Sequence, residues 1–405
     1  MIDPDSLVRL RRIGLNPETL QHLLRHQPEP SPPAPRSATQ LNQATAAKDP
    51  ETTHPTTNTR PAPHPDRDDQ HDHPATCRAW WRVTEVQRDQ LTLHDGTRSI
   101  LARPLPRLLQ ALQAEADALA VGDWVQAEED AYGTCWVHHR LPPRNQIARR
   151  LHDGRDKVER TVIVANVDTA LLVMGLDHDF NVRRLERYIA LVRLAGVQAG
   201  LVLTKADLCD DVPRRLAQAR ALLPPGVDAV AVASHTPAAA ELLAPWLAEG
   251  RTLVLLGSSG AGKSTLTNTL CGAPVQAVGG TRHSDGRGRH TTTARSLHVT
   301  PGGACLIDTP GLRTLRLDSD EAALGTVFDD VATLAPQCRF RNCRHEAEPG
   351  CAVRAALAPE RLDGFHKLWR EARRDSLSAL ERQRQRAEWK ARGRAGAARL
   401  KEKRG

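Results

Sequence analysis

The sequence predicts a chain in three working parts: an N-terminal small β-barrel, an α/β domain with a mainly parallel sheet, and a C-terminal helical, metal-binding domain. Three observations predict it. Between Cys77 and Arg144, short alternating segments are separated by turn residues. From about Arg160, buried strand-like runs alternate with helix-length segments. Near the C-terminus, Cys338, Cys343, His345 and Cys351 crowd into one short stretch.

The bulk composition sets the limits. At 405 residues and 40% hydrophobic content, the chain is long enough for more than one core. Its start, MIDPDSLVRLRRIGL, lacks an apolar signal region, and no apolar run approaches a membrane span. A cytoplasmic chain with no membrane partner is expected. Eight cysteines at this length do not suggest a disulfide scaffold. The formal net charge of +8 is carried by the end of the chain. From Arg370 onward there are thirteen Lys/Arg and five Asp/Glu, so the remainder is close to neutral.

The elements follow in chain order. Leu7, Leu10, Ile13, Leu20 and Leu23 mark an amphipathic helical segment over 1–27, broken near Gly14 and Pro17. Residues 28–75 are rich in Pro, Thr, Asp and His with almost no large apolar residues, which predicts a disordered insertion. Within 76–146, RAWWRVTEV, QLTLHDGTRSILARPL, LAVGDWVQAEED and TCWVHHRL read as barrel strands, with a turn at Asp95-Gly96. An OB-fold and an SH3-like barrel both fit. Over 147–317, TVIVANVDTALLVMGL reads as two buried strands. NVRRLERYIALVRLAG reads as a helix with Leu185, Ile189 and Val192 on one face and Gly196 at its end. AGLVLTKADL, VDAVAVAS and RTLVLLG read as further strands, with helices between them. Residues 318–405 hold the Cys/His cluster and a basic helical tail.

Gly257, Ser258, Ser259, Gly260, Ala261, Gly262, Lys263, Ser264 and Thr265 make a full phosphate-loop match, between a predicted strand and a predicted helix. The glycines let backbone N–H groups curl around phosphates, and the helix N-terminus adds its dipole. Lys263 would reach the β- and γ-phosphates, and Ser264 would ligate Mg²⁺. Asp308-Thr309-Pro310-Gly311 closes another buried strand. There Asp308 would hold Mg²⁺ through a water, and the Gly311 N–H would touch the γ-phosphate. Thr204-Lys205-Ala206-Asp207 ends a third strand. The Asp207 carboxylate can accept from guanine N1–H and its 2-amino group, a donor pair that adenine lacks. Lys205 would lie along the base.

The base-reading segment precedes the phosphate loop, the reverse of the usual order. In a parallel sheet all these strand ends gather at one crevice, so the site depends on spatial strand order. Moving the chain opening to a point after Gly311 would keep one site intact and lead that segment directly into the next domain.

This order resembles the circularly permuted GTPases. With LPPRNQIARR, VIVANVD, TKADL, GSSGAGKSTLTNTL, GRGRHTTT, IDTPGL and CRFRNCRHEAEPGC, the layout resembles the ribosome-small-subunit-dependent GTPase A (RsgA/YjeQ) family. The resemblance implies an OB-fold barrel and a circularly permuted P-loop GTPase domain. It also implies GTP hydrolysis to GDP stimulated by the small (30S) ribosomal subunit and its rRNA, in late subunit maturation; a monomer is expected. It places Thr292 on Mg²⁺ and the γ-phosphate. It places a backbone N–H near Ser234 at the guanine carbonyl, although the local order Ala233-Ser234 departs from the family's Ser-Ala. Thr204 stands where Asn is common. Leu312 stands where Ras-like enzymes carry a water-orienting Gln, so His290 is the local candidate for that task; an RNA or solvent contact is the competing reading of His290. Lys263, Thr292 and His290 form the catalytic set.

Cys338, Cys343, His345 and Cys351 suit a closed, tetrahedral structural Zn²⁺ site. Arg339, Arg341 and Arg344 between the ligands, and the basic tail, suit RNA phosphates or else form solvated faces. Two other functions fit parts of the chain: a nucleotide-gated RNA-binding module with little catalysis, and an ATP-using phosphate-loop enzyme. Intact Lys263, Ser264 and Asp308 argue against the first, and Asp207 against the second.

Overall fold

The computed structural model of the protein describes residues 3–26, 79–152, 158–276, 295–309 and 328–376. The expected insertion over 28–75, the tail beyond 376, and His290, Thr292 and Gly311 lie outside the described residues.

Five strands close the barrel: β1 (Ala79–Val86), β2 (Leu91–His94), β3 (Ser99–Pro104), β4 (Trp124–Glu129) and β5 (Cys135–Arg140). Their order is β1-β2-β3-β5-β4, and β4 pairs back onto β1. Helix α3 (Pro106–Ala114) lies between β3 and β4. This arrangement is an OB-fold and decides between the two barrels that fit the sequence. At the β2–β3 turn, Asp95 Oδ1 accepts from the Thr97 and Arg98 N–H groups at 2.8 and 2.9 Å. Gly96 there has φ +96°, and a Cβ on it would lie 1.9 Å from the Arg9 carbonyl oxygen.

The N-terminal segment forms two helices, α1 (Pro4–Arg11) and α2 (Pro17–Arg25). Asp3 and Asn16 cap them by accepting from the Ser6 and Thr19 N–H groups, and Pro follows each cap. Their apolar face does not lie free. Leu10, Ile13, Leu15 and Leu23 pack against Trp80, Trp124 and Leu141 on the outside of the barrel. The neighbouring Trp81 and Val125 point into the barrel with Val83, Leu93 and Val137. Strand alternation therefore buries both faces of β1, and each fully buried large apolar side chain contributes about 1.5–3 kcal/mol.

The α/β part contains β8 (Thr169–Gly175), β9 (Gln198–Thr204), β10 (Ala229–Ala231), β11 (Thr252–Leu256), β12 (Ser296–Val299) and β13 (Cys305–Asp308). They run in the order β10-β9-β8-β11-β13-β12. All pairings are parallel except β12 with β13. Helix α4 (Val182–Leu194) covers one face through Leu185, Tyr188, Ile189 and Val192. Alongside it lies α5 (Val212–Arg220). The opposite face is covered by α6 (Ala238–Leu243) and α7 (Lys263–Cys271) through Leu243, Leu266 and Leu270. Gly196, at φ +68°, follows the end of α4.

Of the two strands in TVIVANVDTALLVMGL, only β8 enters the sheet. The first belongs to β7 (Val158–Ala165), which pairs antiparallel with β6 (Gln146–His152) as a separate ribbon. The chain turns at Asn166, in the left-handed region at φ +54°. Its side chain accepts from the Arg144 N–H at 2.9 Å and donates to the Gly122 carbonyl at 3.1 Å. Arg82 binds the barrel to the sheet. Fully buried, it donates to the Asn166 carbonyl and to Thr252 Oγ1, and its guanidinium lies 4.7 Å over the Trp124 ring.

Beyond the sheet are α8 (Asp329–Leu334), α9 (Ala352–Ala356) and α10 (Pro359–Ser376). Arg361 on α10 makes a two-pronged contact with Asp330 at 2.9 and 3.2 Å. It also lies 4.3 Å over Phe328 and 4.0 Å from Glu186 of α4. Burial keeps the Glu186 carboxyl above its ordinary value despite that guanidinium.

Candidate functional site

The carboxyl ends of β8, β9, β11 and β13 share one edge of the sheet, because these strands are mutually parallel. The phosphate loop, Thr204–Asp207 and Asp308–Thr309 emerge there; His290, Thr292 and Gly311 lie outside the described residues. Strand β11 is buried throughout and leads through Gly257–Gly262 into α7. A Cβ on Gly257 would lie 2.2 Å from the Val173 carbonyl oxygen, so the loop can leave the sheet here only as glycine. Gly262, at φ +88°, turns the chain into α7. Ser259 and Gly260 are exposed, Ala261 is buried, and Ser264 and Thr265 are half-buried in the first turn of α7.

Lys263 is 6% exposed, and its ammonium donates to the Gly257 and Ser258 carbonyls at 3.1 and 2.8 Å. The cation thus lies across the mouth of its own loop. Burial lowers its pKa, while Asp308 and Asp179 pull the other way. Asp308 ends β13 directly beside Leu255 of β11 and is fully buried. Burial pushes its carboxyl up to about 6, against the pull of Lys263, the Thr309 N–H and the Ser264 hydroxyl. Neither Asp308 oxygen has a well-aligned hydrogen-bond partner among the described residues. A buried carboxylate short of partners, set near a hydroxyl, is an all-oxygen donor set that fits a small hard cation such as Mg²⁺. Thr309 donates from Oγ1 to the Leu255 carbonyl at 2.7 Å, pinning this strand end to the phosphate-loop strand.

Thr204 ends β9 and is fully buried. Its Oγ1 is 2.6 Å from the Ala261 carbonyl and 3.3 Å from that of Met174. The hydroxyl that replaces the usual Asn side chain therefore clips the β9 end to the phosphate loop. Lys205 is left-handed at φ +58°, and its ammonium pairs with Asp177 Oδ2 at 2.7 Å. Asp207 is exposed, in the 3₁₀ turn Ala206–Leu208. Ser234 is buried, and its carbonyl accepts from Thr269 Oγ1 of α7 at 2.6 Å. A Cβ placed on Gly262 would be 3.3 Å from Thr204 Oγ1 and 3.6 Å from Ser234 Oγ, so three distant segments meet at this glycine.

The sequence reading missed one wall. After β8 the chain runs Leu176-Asp177-His178-Asp179-Phe180-Asn181 along the same edge. Asp177 holds Lys205, and Asp179 Oδ1 accepts from Ser258 Oγ at 2.6 Å. Two acids immediately after a fully buried strand were a signal available in the sequence.

The cysteine–histidine cluster is assembled. The ligand atoms of Cys338, Cys343, His345 and Cys351 all lie within 4.8 Å of one another. Sγ of Cys338 is 3.9 Å from Sγ of Cys351 and 3.6 Å from His345 Nδ1, which is 3.4 Å from Cys351 Sγ. A tetrahedron with metal–sulfur bonds of about 2.3 Å and metal–nitrogen bonds of about 2.0 Å has edges of about 3.8 and 3.5 Å. The cluster can hold a metal ion. His345, at φ +61°, is held by its carbonyl's contact with His366 Nε2 at 3.0 Å.

Comparison with known proteins agrees with this geometry. The family model described as RsgA GTPase matches residues 141–318. The chain is 45% identical over 293 residues to the small ribosomal subunit biogenesis GTPase RsgA of Xanthomonas oryzae pv. oryzae (strain MAFF 311018), spanning 71% of this chain and 79% of that one. It is 49% identical over 253 residues to the protein of the same name from Xylella fastidiosa (strain M23), spanning 61% of this chain and 74% of that one. The crystal structure of YjeQ from Thermotoga maritima superposes with a TM-score of 0.54 at 23% identity, over 73% of this chain and 99% of that one. YloQ, described as a circularly permuted GTPase, superposes with a TM-score of 0.51 at 22% identity, over 77% of this chain and all of that one. On this fold, these strand ends and this sequence identity, the chain belongs to the RsgA family of circularly permuted GTPases.

Proposed function

We propose that this protein binds the small ribosomal subunit and hydrolyses GTP to GDP and phosphate during late 30S maturation, as a cytoplasmic monomer whose turnover the subunit stimulates. The observation that carries the reading is the convergence of Lys263, Asp308, Thr204 and Lys205 on one sheet edge, in an order the chain reverses. The names of the relatives, small ribosomal subunit biogenesis GTPase, support the substrate and the partner.

In this reading the phosphate-loop N–H groups and the N-terminus of α7 receive the phosphates. The Lys263 ammonium moves from the Gly257 and Ser258 carbonyls onto the β- and γ-phosphates, exchanging neutral acceptors for charged ones. Asp308 and Ser264 would hold Mg²⁺, with Thr292 completing the set. Bound there, the ion neutralises charge on the β- and γ-phosphates. Asp207 reads the guanine edge, and Lys205 lies along the base. The Gly311 N–H contacts the γ-phosphate, and His290 is assigned to the attacking water. Cys338, Cys343, His345 and Cys351 bind a structural Zn²⁺ that orders residues 338–351. Arg339, Arg341 and Arg344 on that segment, with the basic tail, face rRNA phosphates. The working parts are the barrel over 76–146, the GTPase domain over 147–317 and the zinc domain over 318–405.

The test is GTP hydrolysis with and without purified 30S subunits. Slow turnover alone and strong acceleration by subunits are expected. Equal rates would refute the ribosome-dependent reading.

A further inference from the structure

Asp179 is the most heavily engaged carboxylate at the nucleotide edge, yet it belongs to none of the segments that define the site. It is 9% exposed. Oδ2 accepts from the Gly175 N–H at 3.2 Å, where β8 ends. Oδ1 accepts from Ser258 Oγ at 2.6 Å and pairs with Arg184 Nη2 at 2.6 Å. Arg184 also donates to the Asp179 backbone carbonyl. The guanidinium is anchored on the first turns of α4, so the carboxylate is held from the helix side and from the strand side together. Two residues earlier, Asp177 Oδ1 accepts from the Asp179 N–H at 3.0 Å while Oδ2 holds Lys205. The loop therefore grips the first variable residue of the phosphate loop with one acid and the base-side lysine with the other.

We infer that Asp179 is a positioning residue of the nucleotide site, which fixes the start of the phosphate loop through the Ser258 hydroxyl. The inference rests on the guanine-nucleotide reading above and deepens it. The benefit of such a contact is entropic and directional. A phosphate loop binds through backbone N–H groups that must point inward before the ligand arrives, and ordering them on binding would cost affinity. Gly257 sits against β8, and Gly260 and Gly262 take positive φ, so the glycines leave the loop soft. Ser258, only 7% exposed, is the non-glycine residue at its start, and its hydroxyl donates to Asp179. A carboxylate beside a phosphate site would repel the ligand if it were bare; the Arg184 pair offsets that charge. The same carboxylate helps keep the buried Lys263 ammonium charged.

The experiment is a double-mutant cycle in the full chain, reading GDP affinity with a fluorescent GDP, together with thermal unfolding and GTP kinetics. The variants are Ser258→Ala, Asp179→Asn and the pair. Each single change removes one end of a charge-assisted hydrogen bond and is expected to weaken GDP binding about ten-fold. The double variant is expected to lose about ten-fold as well, instead of the hundred-fold that independent effects would give. KM for GTP should rise with kcat nearly constant, the signature of lost uniform binding. Additive losses, or unchanged affinity in Ser258→Ala, would overturn the assignment. Ser258→Ala leaves the Asp179–Arg184 pair in place, so it decides the matter even if Asp179→Asn does not fold. A wild-type protein that binds no guanine nucleotide would sink the functional reading itself, which is a different result.

Discussion

Thr204→Val probes the joint between the two halves of the site. Valine keeps the shape and the β-branch and removes only the hydroxyl. Thr204 is fully buried, and its Oγ1 lies 2.6 Å from the Ala261 carbonyl. The change deletes one hydrogen bond and leaves a buried carbonyl short of a donor, a loss of about 1–3 kcal/mol. For a domain of this size that lowers Tm by roughly 2–4 °C per kcal/mol, so a fall of about 2–12 °C is expected. If the hydroxyl only stabilises the fold, nucleotide affinity below Tm should stay unchanged. If it clips the base-reading strand to the phosphate loop, GDP affinity should fall about five-fold or more at 20 °C, well inside the folded range. The assay is thermal unfolding beside GDP titration. Unchanged GDP affinity, whatever the change in Tm, would refute the clip.

Much of this site was legible because parallel strands carry their ligands at one end. The phosphate loop, the Asp308 strand and the Thr204 strand could each be placed on a strand terminus from apolar runs alone, and the sheet brought them together. The Cys/His cluster that could hold a metal ion was legible from residue type and spacing. Three things were not. The choice of OB-fold depends on the β3–β5 and β1–β4 pairings, which link strands distant in the chain. The departure of β7 from the sheet depends on Asn166, whose left-handed turn is fixed by contacts with Arg144 and Gly122. The position of Asp179 just past a buried strand was visible, but its burial was not: that comes from Ser258 and Arg184, which reach it only after folding.

If the cluster holds the proposed zinc, treatment with a chelator, or Cys351→Ser, should unfold the segment 338–351 and lower Tm, with about one zinc per chain lost by elemental analysis; full zinc retention by the Cys351→Ser protein would contradict the ligand set. Asp308 has a folded pKa of about 6, above its ordinary carboxylate value. Without metal, the unfolded chain therefore releases this proton near pH 4 and the folded one near pH 6, so stability falls as pH rises through that window. Asp308→Asn should flatten that fall and abolish the Mg²⁺ dependence of nucleotide binding; chemical unfolding at pH 4.5 and pH 7 checks the first and titration with and without Mg²⁺ the second. Lys263→Ala should cut nucleotide-dependent turnover by at least about a hundred-fold if, as proposed, its charge acts at the β- and γ-phosphates; turnover near wild type would mean another cation does this work.

In the proposed function, two sequence segments in reversed order form one guanine site. The most direct measurement is single-turnover hydrolysis of GTP, ATP and xanthosine triphosphate on 30S subunits by the wild-type protein and by Asp207→Asn. Wild type should turn over GTP in strong preference to the others, and Asp207→Asn should shift preference toward xanthosine triphosphate, because the amide no longer matches guanine's donor pair. Equal use of GTP and ATP by wild type, or no shift in Asp207→Asn, would contradict it.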